Sequence, residues 1–258
     1  MAASPSVQPP GSPSFRAAER HLAVDGLTNA RDLGGIPLRS GGTTPRGVFF
    51  RSENLDQATS AGWEQLRAAG IRTVVDLRQP GERARDTQPR PAWLTTVNVD
   101  LDGLENTAFW ADYWDNGLVG TALYYLPHLA TMPERSGAAL AALATAPPGG
   151  VLFHCVAGRD RTGQIALLLL LSIVGAEPEA IVDDYLETVR RAEQRAVASG
   201  RADDEAASEA LCRSLGTSTE AAFRAALAGL DLPALLAAAG LTDLELAALR
   251  GWRQHPAG

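Results

Sequence analysis

The chain has 258 residues, 45% hydrophobic, 21% charged and 6% aromatic, which excludes a collagen-like, wholly disordered or disulfide-scaffold protein and leaves a globular one able to bury a core. Its 30 acidic residues outweigh 23 basic ones for a net charge of −7, against the broad basic surface that nucleic-acid or anionic-membrane partners need. Every basic residue is arginine, so lysine Schiff-base and lysine general-base chemistry are excluded as well.

Residues 1–20 open with MAASPSVQPPGSPSF, rich in Pro, Ser and Gly, and are expected to be a disordered tail before one domain over 21–258. No charged start leads into an apolar run, and the stretch Ile165 to Ala176, broken by Ser172, is too short to span a bilayer. A cytoplasmic protein without stable membrane insertion is expected.

From Gly47, VFFRS reads as a short strand, and a helix follows from about Ser60, closed by Gly70. IRTVVDLR then reads as a buried strand ahead of the turn-forming Gln79-Pro80-Gly81. Residues 81 to 130 hold seven of the fifteen aromatic side chains, read as core packing. A helix is expected from about Glu134 to Ala146, ended by Pro147-Pro148-Gly149-Gly150, and VLFH gives another buried strand. Beyond it the chain reads as helical. Pro178 suits a first turn, and Thr217-x-x-Glu220 and Thr242-x-x-Glu245 are capping-box patterns. Glu187 to Glu209, mostly charged or alanine, reads equally as a mobile cover drawn from residues 185–215 or as a solvated helix face. Alternating strands and helices make the expected fold α/β: a central, mainly parallel sheet flanked by helices, with a helical C-terminal portion.

The chemistry gathers in His154-Cys155-Val156-Ala157-Gly158-Arg159-Asp160-Arg161-Thr162-Gly163. A bare Cys-X5-Arg is cheap: with 2 cysteines and 23 arginines in 258 positions, chance supplies it about one time in six. Context makes it specific. A buried strand precedes it, a glycine lies inside it, and a strongly apolar helix leaves it, which together describe an anion cradle. Backbone N–H groups and a helix N-terminus aimed at one point suit a phosphate oxyanion, and the same field stabilises the Cys155 thiolate as a nucleophile. Arg161 suits bidentate capture of two phosphoryl oxygens. The Thr162 hydroxyl is placed to donate to the sulfur. Val156, Ala157, Gly158 and Arg159 complete the substrate-binding loop.

HCVAGRDRTG resembles the signature of the Cys-X5-Arg protein tyrosine phosphatase superfamily. Asn29-Ala30-Arg31-Asp32-Leu33-Gly34-Gly35, Phe50-Arg51-Ser52 and Val75-Asp76-Leu77-Arg78 are similar to the bacterial tyrosine phosphatase family that includes mycobacterial protein tyrosine phosphatase B. The likeness runs from about residue 24 to the C-terminus. It implies a tyrosine phosphatase-like fold and a phosphocysteine intermediate without a metal or other cofactor. The implied substrates are phosphotyrosine, with phosphoserine/threonine or phosphoinositide side activities. The family usually has lysine where this chain has Arg159; the charge is kept.

The leaving group needs a proton, and two aspartates compete to give it. Asp160 lies in the loop beside Arg161 and is favoured; Asp76, near the end of VVDLR, is the alternative acid or the carboxylate that orients Arg161, and Asp100 and Asp102 are next in line for the acid alone. His154 reads as an orienting hydrogen-bond partner and Cys212 as a packing residue. Asp32 reads equally as a turn-former or a functional residue, and Arg51 and Arg78 as strand-end surface charges or substrate contacts. His21, His128 and His255 have no metal-binding spacing. The alternatives to a protein phosphatase are a phosphoinositide phosphatase and a phospho-ligand binding module of the same fold that has lost its chemistry.

Overall fold

A computed structural model of the chain describes residues 17–253 apart from Val174, Arg201 and Asp203. The elements run β1 (Arg31–Asp32), β2 (Phe49–Ser52), α1 (Ser60–Ala68), β3 (Ile71–Asp76), α2 (Pro80–Arg83), β4 (Thr95–Asn98) and α3 (Thr107–Tyr113). Then follow α4 (Tyr125–Thr131), α5 (Pro133–Thr145), β5 (Gly150–His154), α6 (Asp160–Leu167), α7 (Pro178–Arg190) and α8 (Ala192–Ser199). The chain closes with α9 (Glu205–Ser214), α10 (Thr219–Gly229), α11 (Leu232–Ala238) and α12 (Asp243–Arg250).

The sheet order is β1-β2-β5-β3-β4. Only β1 pairs antiparallel; β2, β5, β3 and β4 are parallel neighbours, with Ser52 and Asp76 both in register with His154. The central strand is thus the one that leads into Cys155, and three strand ends converge where open parallel sheets gather their sites.

Alternation along the strands makes two layers, because successive side chains leave opposite faces. Phe50, Val74 and Leu152 pack with Trp63 and Leu66 of α1. Phe49, Val75, Val151 and Phe153 face the larger core, with Ile165 and Leu167 of α6, Leu140 and Leu143 of α5, and Phe223 of α10. Phe109, Trp110, Tyr124 and Tyr125 are buried there too, as the core reading of the aromatic stretch requires, whereas Trp114 is exposed.

Local signals account for most element boundaries. The Thr59 hydroxyl accepts from the Gly62 amide to start α1, and Gly70, at φ 86°, ends the turn that follows it. Pro133 and Pro178 sit in the first turns of α5 and α7, and the Thr242–Glu245 capping box is present at α12. Three expectations need correction. Ser218 caps α10 in place of Thr217. The apolar run after α6 widens into π-type turns over Leu168–Ile173. The tail boundary at residue 20 is too late, because Arg20 is 6% exposed and its Nη2 lies 2.8 Å from Asp184 Oδ1; residues 1–16 lie outside the described residues. Among the described residues no single helix is long and apolar enough to cross a membrane.

Candidate active site

The segment from Cys155 to Arg161 turns from the end of β5 into the first turn of α6. Gly158 makes the turn at φ 68°, and a Cβ there would stand 2.3 Å from the Ser52 carbonyl oxygen, so conformation and close approach both require glycine. Each carbonyl from Val156 to Arg159 is engaged. Val156 O accepts from the Asn54 amide at 2.9 Å, Ala157 O from Asn29 Nδ2 at 3.3 Å, and Gly158 O from Arg51 Nη2 at 2.7 Å. Arg159 O accepts from the Gly163 amide at 2.8 Å and the Tyr125 hydroxyl at 3.4 Å. In a trans peptide plane the next N–H points opposite to the carbonyl. The amides of Ala157, Gly158, Arg159 and Asp160 are therefore turned to the concave side, an anion-binding nest at a helix N-terminus.

Cys155 is 3% exposed and free of any disulfide. His154 Nδ1 lies 2.9 Å from the Cys155 carbonyl oxygen, the orienting contact the sequence suggests. Burial lowers the His154 pKa, so the ring is neutral and Nδ1–H is the donor. The Thr162 hydroxyl is buried without a hydrogen-bond partner among the described residues, a cost natural structures accept where chemistry uses the group.

Arg161 is bracketed by two carboxylates that sequence reasoning did not assign to it. Nη1 and Nη2 donate to Glu82 at 2.5 and 2.8 Å, and Nη1 donates to Asp102 at 2.8 Å. Asp76, the expected orienter, does not fill this place. Its carboxylate takes two bonds from Arg78, at 2.9 Å from Nε and 2.7 Å from Nη2, while the Arg78 amide also donates to it. Burial pushes Asp76 upward, but these bonds and the Arg78 charge hold its carboxyl below the ordinary range. Arg78 also reaches Asp86 at 2.9 Å, and Arg51 and Arg78 are 1% and 3% exposed, so neither is a surface charge. The Asp32 carboxylate accepts from the amides of Gly34 and Gly47, the turn role.

Asp160 sits at the start of α6, its side chain 21% exposed. Burial raises its pKa against the pull of Arg159 and Arg161, so it keeps a proton to higher pH than a free aspartate. Asp102 is raised to about 6, mainly by burial, with Arg161 opposing and the charges of Glu82, Asp100 and Asp160 assisting.

Arg159 lines the space beside the loop and is tied to three groups around it. Its Nε lies 2.6 Å from Glu205 Oε1 on α9, Nη1 lies 3.2 Å from Asp160 Oδ1 and also donates to the Gly120 carbonyl. A cavity of about 290 Å³ opens beside the loop, with Val156, Ala157 and Asp160 on one side and Arg195 of α8 and Ser208 of α9 on the other. Tyr185 and Thr188 of α7, at the start of the segment expected as a cover, are buried in the main body. Cys212 is buried in α9, consistent with packing. Among the described residues no cluster of three or more His, Cys, Asp or Glu side chains is arranged to hold a metal ion.

The profile described as the tyrosine phosphatase family matches residues 22–251. A Cupriavidus necator protein bearing a tyrosine-protein phosphatase name is 33% identical over 189 residues, 70% of this chain and 68% of that one. A tyrosine-protein phosphatase of Nostoc commune is 32% identical, covering 55% of this chain and 48% of its own length. The triple specificity protein phosphatase PtpB of Mycobacterium tuberculosis is 34% identical over 170 residues, 55% of this chain and 61% of its own.

Proposed function

The chain belongs to the tyrosine phosphatase family, and from that premise we propose that it hydrolyses phosphotyrosine through a phosphocysteine intermediate. The observation that carries the reading is the outward anchoring of the four carbonyls from Val156 to Arg159, which leaves amides converging beside Cys155 and Arg161. Each preorganised donor is worth most where phosphoryl charge builds up in the transition state.

In the first step the Cys155 sulfur forms a bond to phosphorus while the bond from phosphorus to the phenolic oxygen breaks. Asp160 gives its proton to that oxygen, and the loop amides with Arg161 hold the equatorial oxygens. Arg161 keeps its aim because Glu82 and Asp102 flank it. In the second step water attacks phosphorus, the sulfur–phosphorus bond breaks, and Asp160 takes a proton from the water. The Thr162 hydroxyl donates to the departing sulfur. The raised Asp160 pKa favours the protonated acid that the first step needs.

The leaving-group series tests Asp160. Asp160→Asn is expected to cut kcat about 10²–10⁴-fold for aryl phosphates with high-pKa leaving groups and much less for acidic phenols. A slope unchanged from wild type would move the acid elsewhere. Initial rates on phosphotyrosine, phosphoserine and phosphothreonine peptides and phosphoinositides then rank the substrates, with phosphotyrosine expected first.

A further inference from the structure

Behind the loop lies a buried charge cluster that the chemistry above does not use. Arg51, 1% exposed, spans two partners: Nη2 donates to the Gly158 carbonyl at 2.7 Å and Nη1 to Asp184 Oδ2 at 2.7 Å. Asp184, on α7 and also 1% exposed, accepts in addition from Arg31 Nε at 3.0 Å and Arg20 Nη2 at 2.8 Å. Arg31 donates from Nη1 to Asn29 Oδ1 at 2.5 Å and from Nη2 to the Thr188 hydroxyl at 2.8 Å. Asn29 in turn holds the Ala157 carbonyl. Two successive loop carbonyls thus lead back to one carboxylate, Gly158 through Arg51 and Ala157 through Asn29 and Arg31.

Burying such a cluster is a poor way to gain stability, since well-packed apolar residues of similar volume commonly do as well or better. What the charged version supplies is aim. A guanidinium fixed at one end by Asp184 can present its other nitrogen to a carbonyl in a single geometry, and that carbonyl sets the direction of the next amide. We propose that Asp184 is a positioning residue for anion binding: through Arg51 and Arg31 it keeps the Gly158 and Arg159 amides turned to the phosphoryl oxygens. Its placement on α7 means that the helix leading into the cavity wall also sets the loop. The assignment rests on the phosphatase reading only in taking a tetrahedral oxyanion as the ligand.

Two effects of Asp184→Asn have opposite signs. Removing a negative charge leaves the field behind the loop more positive, which by itself tightens anion binding. Releasing Arg51 and Arg31 loosens the amides, which weakens it. Calorimetric titration with tungstate separates them and needs no turnover. Asp184→Asn, Arg51→Lys and Asn29→Ala are each expected to weaken tungstate binding, the first two about tenfold, the size of one good hydrogen bond. With an aryl phosphate, kcat should fall by more than KM rises. Leu143→Ala, in α5 and away from the loop, serves as the stability control: it should lower Tm and leave tungstate affinity unchanged.

Tungstate affinity within about twofold of wild type in folded Arg51→Lys and Asn29→Ala, or tighter binding by Asp184→Asn, would overturn the assignment. So would a Leu143→Ala protein that lost affinity in proportion to its loss of Tm. Where Asp184→Asn does not fold, the other two variants decide. A wild-type protein that bound tungstate but hydrolysed no phosphomonoester would overturn the enzymatic reading, while the ranking of variants would still decide the role of Asp184.

Discussion

Every residue of α6 from Thr162 to Leu167 is buried, whereas α8 buries Ala192 alone and α9 buries Cys212 alone. The floor of the site is held by apolar burial, at roughly 25 cal/mol per Å², and by hydrogen bonds to loop carbonyls from β2, Asn29, Asn54 and Tyr125. The facing wall contributes the pairing of Glu205 with Arg159 and otherwise little buried apolar surface. The difference separates two tasks: the floor must hold amides and Arg161 in a fixed geometry, while the wall has only to admit and enclose a substrate. A segment with few buried apolar contacts opens at lower cost than the sheet it covers.

The largest effect comes from breaking the floor. Arg161→Lys keeps a charge but loses the fork that Glu82 and Asp102 hold, and kcat is expected to fall about 10²–10³-fold in steady-state assays. An activity near wild type would mean that the amides alone suffice.

A smaller effect follows from Asp102. Burial pushes its carboxyl up to about 6 in the folded protein, against an ordinary 3.8. Between those values the folded chain holds a proton that the unfolded chain has released, so stability falls as pH rises from about 4 to about 6 and then levels. Asp102→Asn should flatten that segment of the Tm-against-pH curve. A fall of the same size in the variant would remove Asp102 from the account.

The smallest effect belongs to the wall. Glu205→Gln should speed amide hydrogen exchange across α8 and α9 while leaving α6 protected, and kcat should change by less than about threefold, as fits a contact outside the reacting atoms. Equal protection of α6 and α8–α9 in wild type, unchanged by tungstate, would erase the contrast.

What the sequence made legible was local. The strand-loop-helix frame could be read because VLFH, Gly158 and the apolar run from Ile165 lie within a few residues of Cys155, and the orienting contact of His154 follows from its adjacency. The supports of the loop were not readable. Glu82 and Asp102 reach Arg161 across 79 and 59 residues, and Arg51 reaches Gly158 across 107. Nothing in QPGER marks Glu82 except its position just past the VVDLR strand, at the sheet edge where the site forms. Asp76 lies at the right edge too, but Arg78, two residues on, claims its carboxylate. Arg20 looked like part of a tail because its partner, Asp184, is 164 residues away. Even the α10 cap shows the limit of pattern reading: Thr217 and Ser218 are adjacent, and tertiary placement selects the serine.

The central claim is a covalent phosphocysteine held by the anchored loop. Rapid quenching of wild-type protein with a phosphorus-labelled phosphotyrosine peptide, followed by peptide mapping, tests it most directly. The account predicts label on the peptide carrying Cys155, a burst of phenol release ahead of phosphate, and neither signal in Cys155→Ser, which should still bind tungstate. Sustained turnover by Cys155→Ser, or phosphate released in step with phenol and no label at Cys155 under any quench time, would contradict it.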